Sequence, residues 1–175
     1  AGNGSYPSVK LGRINKTLWY MQERESFLNQ LRKEINLFIK KAKSKGLVPC
    51  IRLNGTSDIS WENTGLIDEF KSIQWYDYTK VYKRALKFVN GTLPKNYHIT
   101  YSLNEDNKKQ AFDILKRGGN ISVVFRKSLP KKFNGYKVVN ADTNDLRFLD
   151  PHNSIAGLVA KCKAKNDFSG FVLDV

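Results

Sequence analysis

Apolar residues recur along this chain with two different periods. From Thr17 to Lys45 they fall at steps of three and four residues, which is the spacing of a helix that buries one face. Beyond Gly46 they come in short runs, and each run finishes in polar or charged residues. The pattern therefore predicts a long helical segment followed by a series of strands.

Five of the apolar runs have the length of buried strands. They cover residues 47–53, 73–76, 98–101, 121–125 and 137–139. Helix-like segments separate most of them, and strands that alternate with helices favour parallel pairing through right-handed crossovers. A complete eightfold barrel typically needs ~250 residues, and this chain has 175. The predicted fold class is α/β with a mostly parallel sheet, arranged as an incomplete (partial) barrel or as a curved open sheet.

The first residues differ from the rest of the chain. Residues 1–16 are rich in glycine and show no period, so we predict an extended lead-in there and a single α/β domain over residues 17–175. No apolar run approaches the ~20 residues of a membrane span, and no secretion signal is visible. We therefore expect no membrane partner and a cytoplasmic location.

Positive charge is the strongest compositional signal. Thirty Lys and Arg residues against 16 Asp and Glu give a net charge of +14 and a pI near 9.8. Such a balance favours a polyanion, DNA or RNA, as the partner. The alternative is that lysine only solvates the surface. The predicted nucleic-acid contacts are Lys80, Lys83, Arg84, Lys87, Arg126, Lys127, Lys131, Lys132 and Arg147.

Acidic residues follow several of the predicted strands. Asp58, Asp77, Glu105, Asp142 and Asp145 are expected near one edge of the sheet, where carboxylates are able to hold Mg²⁺ for phosphodiester cleavage. The alternative is that these side chains cap strand ends and form ion pairs.

Asp58, Asp142 and Asp145 are the candidate catalytic acids, and His152, in a turn, is the candidate acid–base group. Cys50 and Cys162 fit no metal motif, so no metal-ligating set is predicted. No Walker loop, dinucleotide-binding glycine motif or zinc spacing is present.

Two segments after the predicted strands resemble a known family. Residues 52–58, Arg-Leu-Asn-Gly-Thr-Ser-Asp, and residues 75–80, Trp-Tyr-Asp-Tyr-Thr-Lys, are similar to the phage-encoded proteins known as gene-88-like. Residues 146–151 and 155–158 fit the same family, and the resemblance covers most of the chain from about Ile51 onward. If the protein is phage-encoded, the expected location is the cytoplasm of the host cell.

The layout of that family resembles the radical S-adenosylmethionine barrel. The resemblance implies that Asn54, Gly55, Thr56, Ser57 and Asp58 bind the methionine part of S-adenosylmethionine. Ser102 or Asn104 would then lie near the ribose. Enzymes of that kind hold an iron–sulfur cluster with three closely spaced cysteines, and the present sequence has no such group.

Three hypotheses follow, in this order. The first is a phage-type nucleic-acid-binding protein that grips phosphates with a basic face. The second is a radical S-adenosylmethionine-like barrel enzyme, or a degenerate or truncated form without the cluster cysteines. The third is a Mg²⁺-dependent nuclease.

Overall fold

The structure, a computed structural model, describes residues 6–175, and its contacts divide the chain into two compact units. The first unit comprises residues 1–50 and the second residues 51–175. The extended lead-in predicted for residues 1–16 is wrong from Pro7 onward. Tyr6 is extended, and residues 1–5 lie outside the described residues. The prediction of a single domain over residues 17–175 stays a prediction.

The first unit contains two helices, α1 (Pro7–Gln22) and α2 (Arg24–Ser44). Pro7 occupies the first turn of α1, where a missing N–H costs nothing and the fixed φ suits a helix, and this is the signal that the expectation of an extended segment overlooked. Trp19 and Tyr20 near the end of α1 make edge-on contacts with Phe27 at ring-centroid distances of 5.2 and 5.4 Å. The helical period of the sequence is therefore confirmed and starts earlier than predicted.

The second unit is built on an open, mostly parallel sheet of eight strands. The strands are β1 (Cys50–Ile51), β2 (Gln74–Thr79), β3 (Tyr97–Ser102), β4 (Asn120–Phe125), β5 (Lys132–Phe133), β6 (Tyr136–Asn140), β7 (Ser154–Val159) and β8 (Val172–Leu173). Three helices interleave with them, α3 (Leu66–Glu69), α4 (Tyr82–Val89) and α5 (Lys108–Lys116). The predicted α/β class with a mostly parallel sheet is confirmed.

The strand order is β1-β2-β3-β4-β7-β6-β5, with β8 beside β4. The pairs β2–β3, β3–β4, β4–β7, β6–β7 and β4–β8 are parallel. Because β7 lies between β4 and β6, the strands do not follow the chain order of a barrel of alternating strands and helices. The sheet is open.

A hairpin lies between β4 and β7 along the chain. Strands β5 and β6 pair antiparallel around Asn134 and Gly135, whose φ angles are 49° and 85°. Positive φ at both central residues defines a type I′ turn, for which Asn-Gly is the favoured dipeptide. The turn was therefore readable from the sequence.

The register of the central strands brings several carboxyl ends together. Strand β2 pairs with β3 from Trp75↔Tyr97 to Thr79↔Tyr101. Strand β3 pairs only with the first half of β4, and β8 takes the place beside its second half. The first strand is shorter than predicted, two residues instead of seven, and polar backbone follows it directly. The residues after β1, β2 and β3 consequently share one edge of the sheet.

Candidate ligand-binding site at the carboxyl edge of the sheet

A buried hydrogen-bond network lies beneath this edge. In it, Asn54 links the segment that follows β1 to Asp77 in β2. The Asn54 backbone N–H donates to Asp77 Oδ1 and the Asn54 Nδ2 donates to Asp77 Oδ2, each at 3.0 Å. The Asn54 Oδ1 in turn accepts hydrogen bonds from the Ser57 hydroxyl, the Ile59 N–H and the Trp61 indole. The side chain of Asn54 therefore fixes the whole turn that leaves β1.

The guanidinium of Arg84, on α4, is the cationic centre of the network. Its Nε and Nη2 donate to the two oxygens of Glu62 at 2.9 Å each, and Nη2 also donates to the Tyr97 hydroxyl at 2.8 Å. Nη1 donates to Asp58. The side chains of Arg84 and Glu62 are only 4% and 3% exposed, so this ion pair is shielded from water.

The carboxyl of Asp77 is buried, and its pKa is raised to about 6 because desolvation disfavours the charge. Hydrogen bonds from the Tyr97 hydroxyl and the Asn54 N–H, and the charges of Arg84 and Arg52, act in the opposite direction without outweighing burial. Asp77 therefore titrates close to neutral pH. It is the acidic residue of this edge with the clearest shift.

Asp58 is held by the end of β2. Its carboxylate accepts hydrogen bonds from the Thr79 hydroxyl at 2.7 and 3.0 Å and from the Lys80 backbone N–H at 2.8 Å. With the bond from Arg84, both carboxylate oxygens are occupied. Asp58 ties the loop after β1 to the end of β2.

A second set of interacting side chains, Tyr78, Arg52 and Asp145, lies on the face of β2 opposite to Asp77. Tyr78 lies between Asp77 and Thr79, so its side chain points to the opposite face. The Tyr78 hydroxyl donates to Asp145 Oδ1 at 3.0 Å, and Arg52 Nη1 donates to Asp145 Oδ2 at 2.5 Å. The Arg52 guanidinium lies 4.6 Å from the centre of the Tyr78 ring. Burial, followed by the nearby charge of Asp145, raises the pKa of Tyr78.

A pocket of about 360 Å³ opens between these two groups. Its lining residues come from the carboxyl ends of the first three strands and are Arg52, Asn54, Gly55, Thr56, Ser57, Asp58, Tyr78, Thr79, Lys80 and Ser102. The volume is within the range of pockets that take small ligands. Ligands of open α/β sheets are commonly bound at this edge.

The structure brings together most of the residues predicted to bind a cofactor. Residues 54–58 and Ser102 line the pocket. Asn104 lies outside the lining, because its Oδ1 accepts the N–H groups of Asp106 and Asn107 and so closes the turn before α5. Whether these residues bind a cofactor stays a prediction.

The four candidate catalytic residues do not converge. Asp58 lines the pocket and Asp145 holds two of its wall residues. Asp142 is instead bound to the Lys161 ammonium and the Val159 N–H at the end of β7, and these hydrogen bonds lower its pKa. His152 precedes the first residue of β7 and therefore lies at the amino edge, near His98. A site that combines all four residues is not formed.

Six of the nine predicted nucleic-acid contacts are exposed and three are not. The exposed ones are Lys80, Lys83, Lys87, Lys127, Lys131 and Lys132. Arg84 and Arg147 are buried, at 3% and 1% exposure, because each neutralises acidic groups inside the unit. The side chain of Arg126 is 13% exposed and binds Asp174 and the carbonyls of Lys165 and Asp167. These three arginines are not positioned to contact a nucleic-acid backbone.

Sequence reasoning gave no functional role to Arg52, Glu62 and Tyr97. Arg52 was only part of the residues that carried the family resemblance, and its position one residue after β1 was its signal. Glu62 and Tyr97 carry no local signal, because their partners are 22 and 13 residues away along the chain. Within residues 6–175, no three His, Cys, Asp or Glu side chains group as metal ligands, and the residues present do not fit an iron–sulfur cluster.

An open, mostly parallel sheet with helices between its strands and a polar pocket at its carboxyl edge defines the class of this molecule as an α/β protein. The sequence model of the family described as gene product 88 matches residues 1–174. The chain therefore belongs to the gene product 88 family, and the resemblance to gene-88-like phage proteins is confirmed. No curated protein and no solved structure matches it. Across residues 6–175, none of the helices has the length and hydropathy to span a membrane.

Proposed function

We propose that this protein binds nucleic acid through exposed lysines that contact the phosphate backbone without reading sequence. The observation that carries the proposal is that the arginines of residues 51–175 form ion pairs, whereas the exposed lysines proposed as contacts do not. All five arginines of residues 51–175 form ion pairs within the chain, namely Arg52, Arg84, Arg117, Arg126 and Arg147. Arginine is the side chain that reads base edges bidentately, and here each of the five already pairs with a carboxylate of the same unit.

The charge excess of this unit is therefore carried by lysine. Residues 51–175 contain 20 Lys and Arg against 13 Asp and Glu, a net charge of +7. None of the six exposed lysines named above forms an ion pair within residues 6–175. Lysine ammonium groups are hydrated point charges, and they suit phosphate contacts that release counterions.

The first unit, residues 1–50, also carries an excess of positive charge. Residues 1–50 contain ten Lys and Arg against three Glu, which is again a net charge of +7 in a much shorter segment. Both units therefore favour a polyanion independently of each other. Binding of this kind is strong at low salt and weakens steeply as salt rises.

The test is a fluorescence-anisotropy titration of single-stranded and duplex DNA and RNA over a range of salt concentrations. If all six lysines contact phosphates, log K should fall with log salt with a slope of about −5 for duplex DNA. The triple variant Lys127→Gln, Lys131→Gln, Lys132→Gln should reduce the magnitude of that slope by about 3.

A matched control is offered by three other exposed lysines, all on α5, changed as Lys108→Gln, Lys109→Gln and Lys116→Gln. This control has the same net charge as the test variant and should keep a slope close to that of the wild type. Absence of binding to every nucleic acid at low salt would refute the proposal. Equal losses in the two triple variants would refute the assignment of the contacts to the six named lysines.

A further inference from the structure

The pocket at the carboxyl edge has a surplus of hydrogen-bond donors. The side-chain acceptors of Asp58 and Asn54 are already used: the carboxylate of Asp58 is occupied on both oxygens, and Asn54 Oδ1 accepts three hydrogen bonds. A cationic ligand would therefore find no carboxylate there that lacks a partner. The side chain of Asp145, at the outer wall, is shared between Arg52 and Tyr78.

Several donors of residues that line the same pocket have no hydrogen-bond partner within residues 6–175. Arg52 Nε is buried and makes no hydrogen bond within residues 6–175. The backbone N–H groups of Thr56 and Ser57 make none within those residues either. Lys80 is exposed, and its ammonium contacts only the face of Phe171, at 5.5 Å. Thr56, Ser57 and Lys80 are exposed residues of the pocket lining, where an acceptor group from solution is able to approach.

The geometry points to a phosphate group as the ligand of this pocket. A phosphate presents several charged oxygens, and Arg52, Lys80 and residues 56 and 57 offer a guanidinium, an ammonium and two backbone amides together. The source is either the terminal phosphate of a nucleic-acid strand or a free nucleotide. Only the first source rests on the proposed function.

The experiment compares two oligonucleotides of identical sequence, one with a 5′-phosphate and one with a 5′-hydroxyl, each labelled at the 3′ end. We expect the phosphorylated strand to bind about tenfold more tightly, and adenosine monophosphate and inorganic phosphate to raise the melting temperature. In Lys80→Gln and Arg52→Lys the preference for the phosphorylated strand should fall to less than threefold. The variant Lys95→Gln, an exposed lysine before the amino end of β3, should retain it.

The possible results separate the two proposals. Equal affinity for both oligonucleotides without a thermal shift by phosphate or nucleotide refutes the phosphate site and leaves nucleic-acid binding intact. A shift by nucleotide without binding of either oligonucleotide refutes the proposed function and assigns the pocket to free nucleotide. A shift by S-adenosylmethionine alone overturns the inference, since it assigns the pocket to the ligand implied by the barrel resemblance.

Discussion

Replacing Arg84 should lower the stability of the fold strongly, because Arg84 is a buried cation paired with two acidic residues. The change Arg84→Met removes the guanidinium and keeps an unbranched apolar chain of similar length. Five hydrogen bonds are lost, two to Glu62 and one each to Tyr97, Asp58 and the Thr79 hydroxyl. What remains is the carboxylate of Glu62 at 3% exposure with no cation beside it.

Removing one partner of a buried ion pair costs about 3–5 kcal/mol, since the other charge stays desolvated. Asp58 is 31% exposed and regains water, so it adds little. We expect a loss of about 4 kcal/mol in the free energy of unfolding, which is a large share of the ~5–15 kcal/mol typical of a domain. The measurement is urea unfolding followed by tryptophan fluorescence, to which the buried Trp61 and Trp75 contribute.

Two further variants make the reasoning refutable. Lys83→Met changes the neighbouring, exposed residue of α4 and should alter stability by less than about 0.5 kcal/mol. The double variant Arg84→Met, Glu62→Gln should be more stable than Arg84→Met alone, because the unpaired charge is gone. A loss below about 1 kcal/mol for Arg84→Met, with no recovery in the double variant, would show that the pair is not buried as described.

Two other predictions concern single positions. Burial raises the pKa of Asp77 from 3.8 to about 6, so its ionised form destabilises the fold above pH 6 by about 3 kcal/mol, and this penalty disappears as the pH falls from 6 towards 4. The free energy of unfolding of the wild type, minus that of Asp77→Asn, should therefore increase as the pH is lowered from 6 to 4. If the two proteins show parallel dependence of stability on pH, the raised pKa is contradicted. Gly157→Ala places a methyl group 2.6 Å from Val138 Cγ1 and should cost about 1–3 kcal/mol. Gly55→Ala, with no atom within 4 Å, should cost less than about 0.5 kcal/mol, and equal melting temperatures for these two alanine variants would refute the clash.

The positions of the main elements were predictable because their signals are local. The runs around residues 73–76, 98–101 and 121–125 are apolar over a strand length, and the structure has β2, β3 and β4 there. The grouping of residues 54–58 with Ser102 was also foreseeable, since parallel strands end at the same edge. The order of the strands was not foreseeable, because no local sequence signal indicates that β7 lies between β4 and β6.

The α/β class, the basic charge and the edge of the sheet at which polar residues collect all follow from the amino-acid sequence. Which charges face water follows only from the way the chain folds. Arg84 and Lys83 are adjacent and both basic, yet one is buried against Glu62 and the other is exposed. The physical reason is that burial of a charge depends on a partner brought near by folding, and Glu62 lies 22 residues away along the chain. Composition counts both residues equally, and the fold leaves the lysine on the surface and makes the arginine part of the interior.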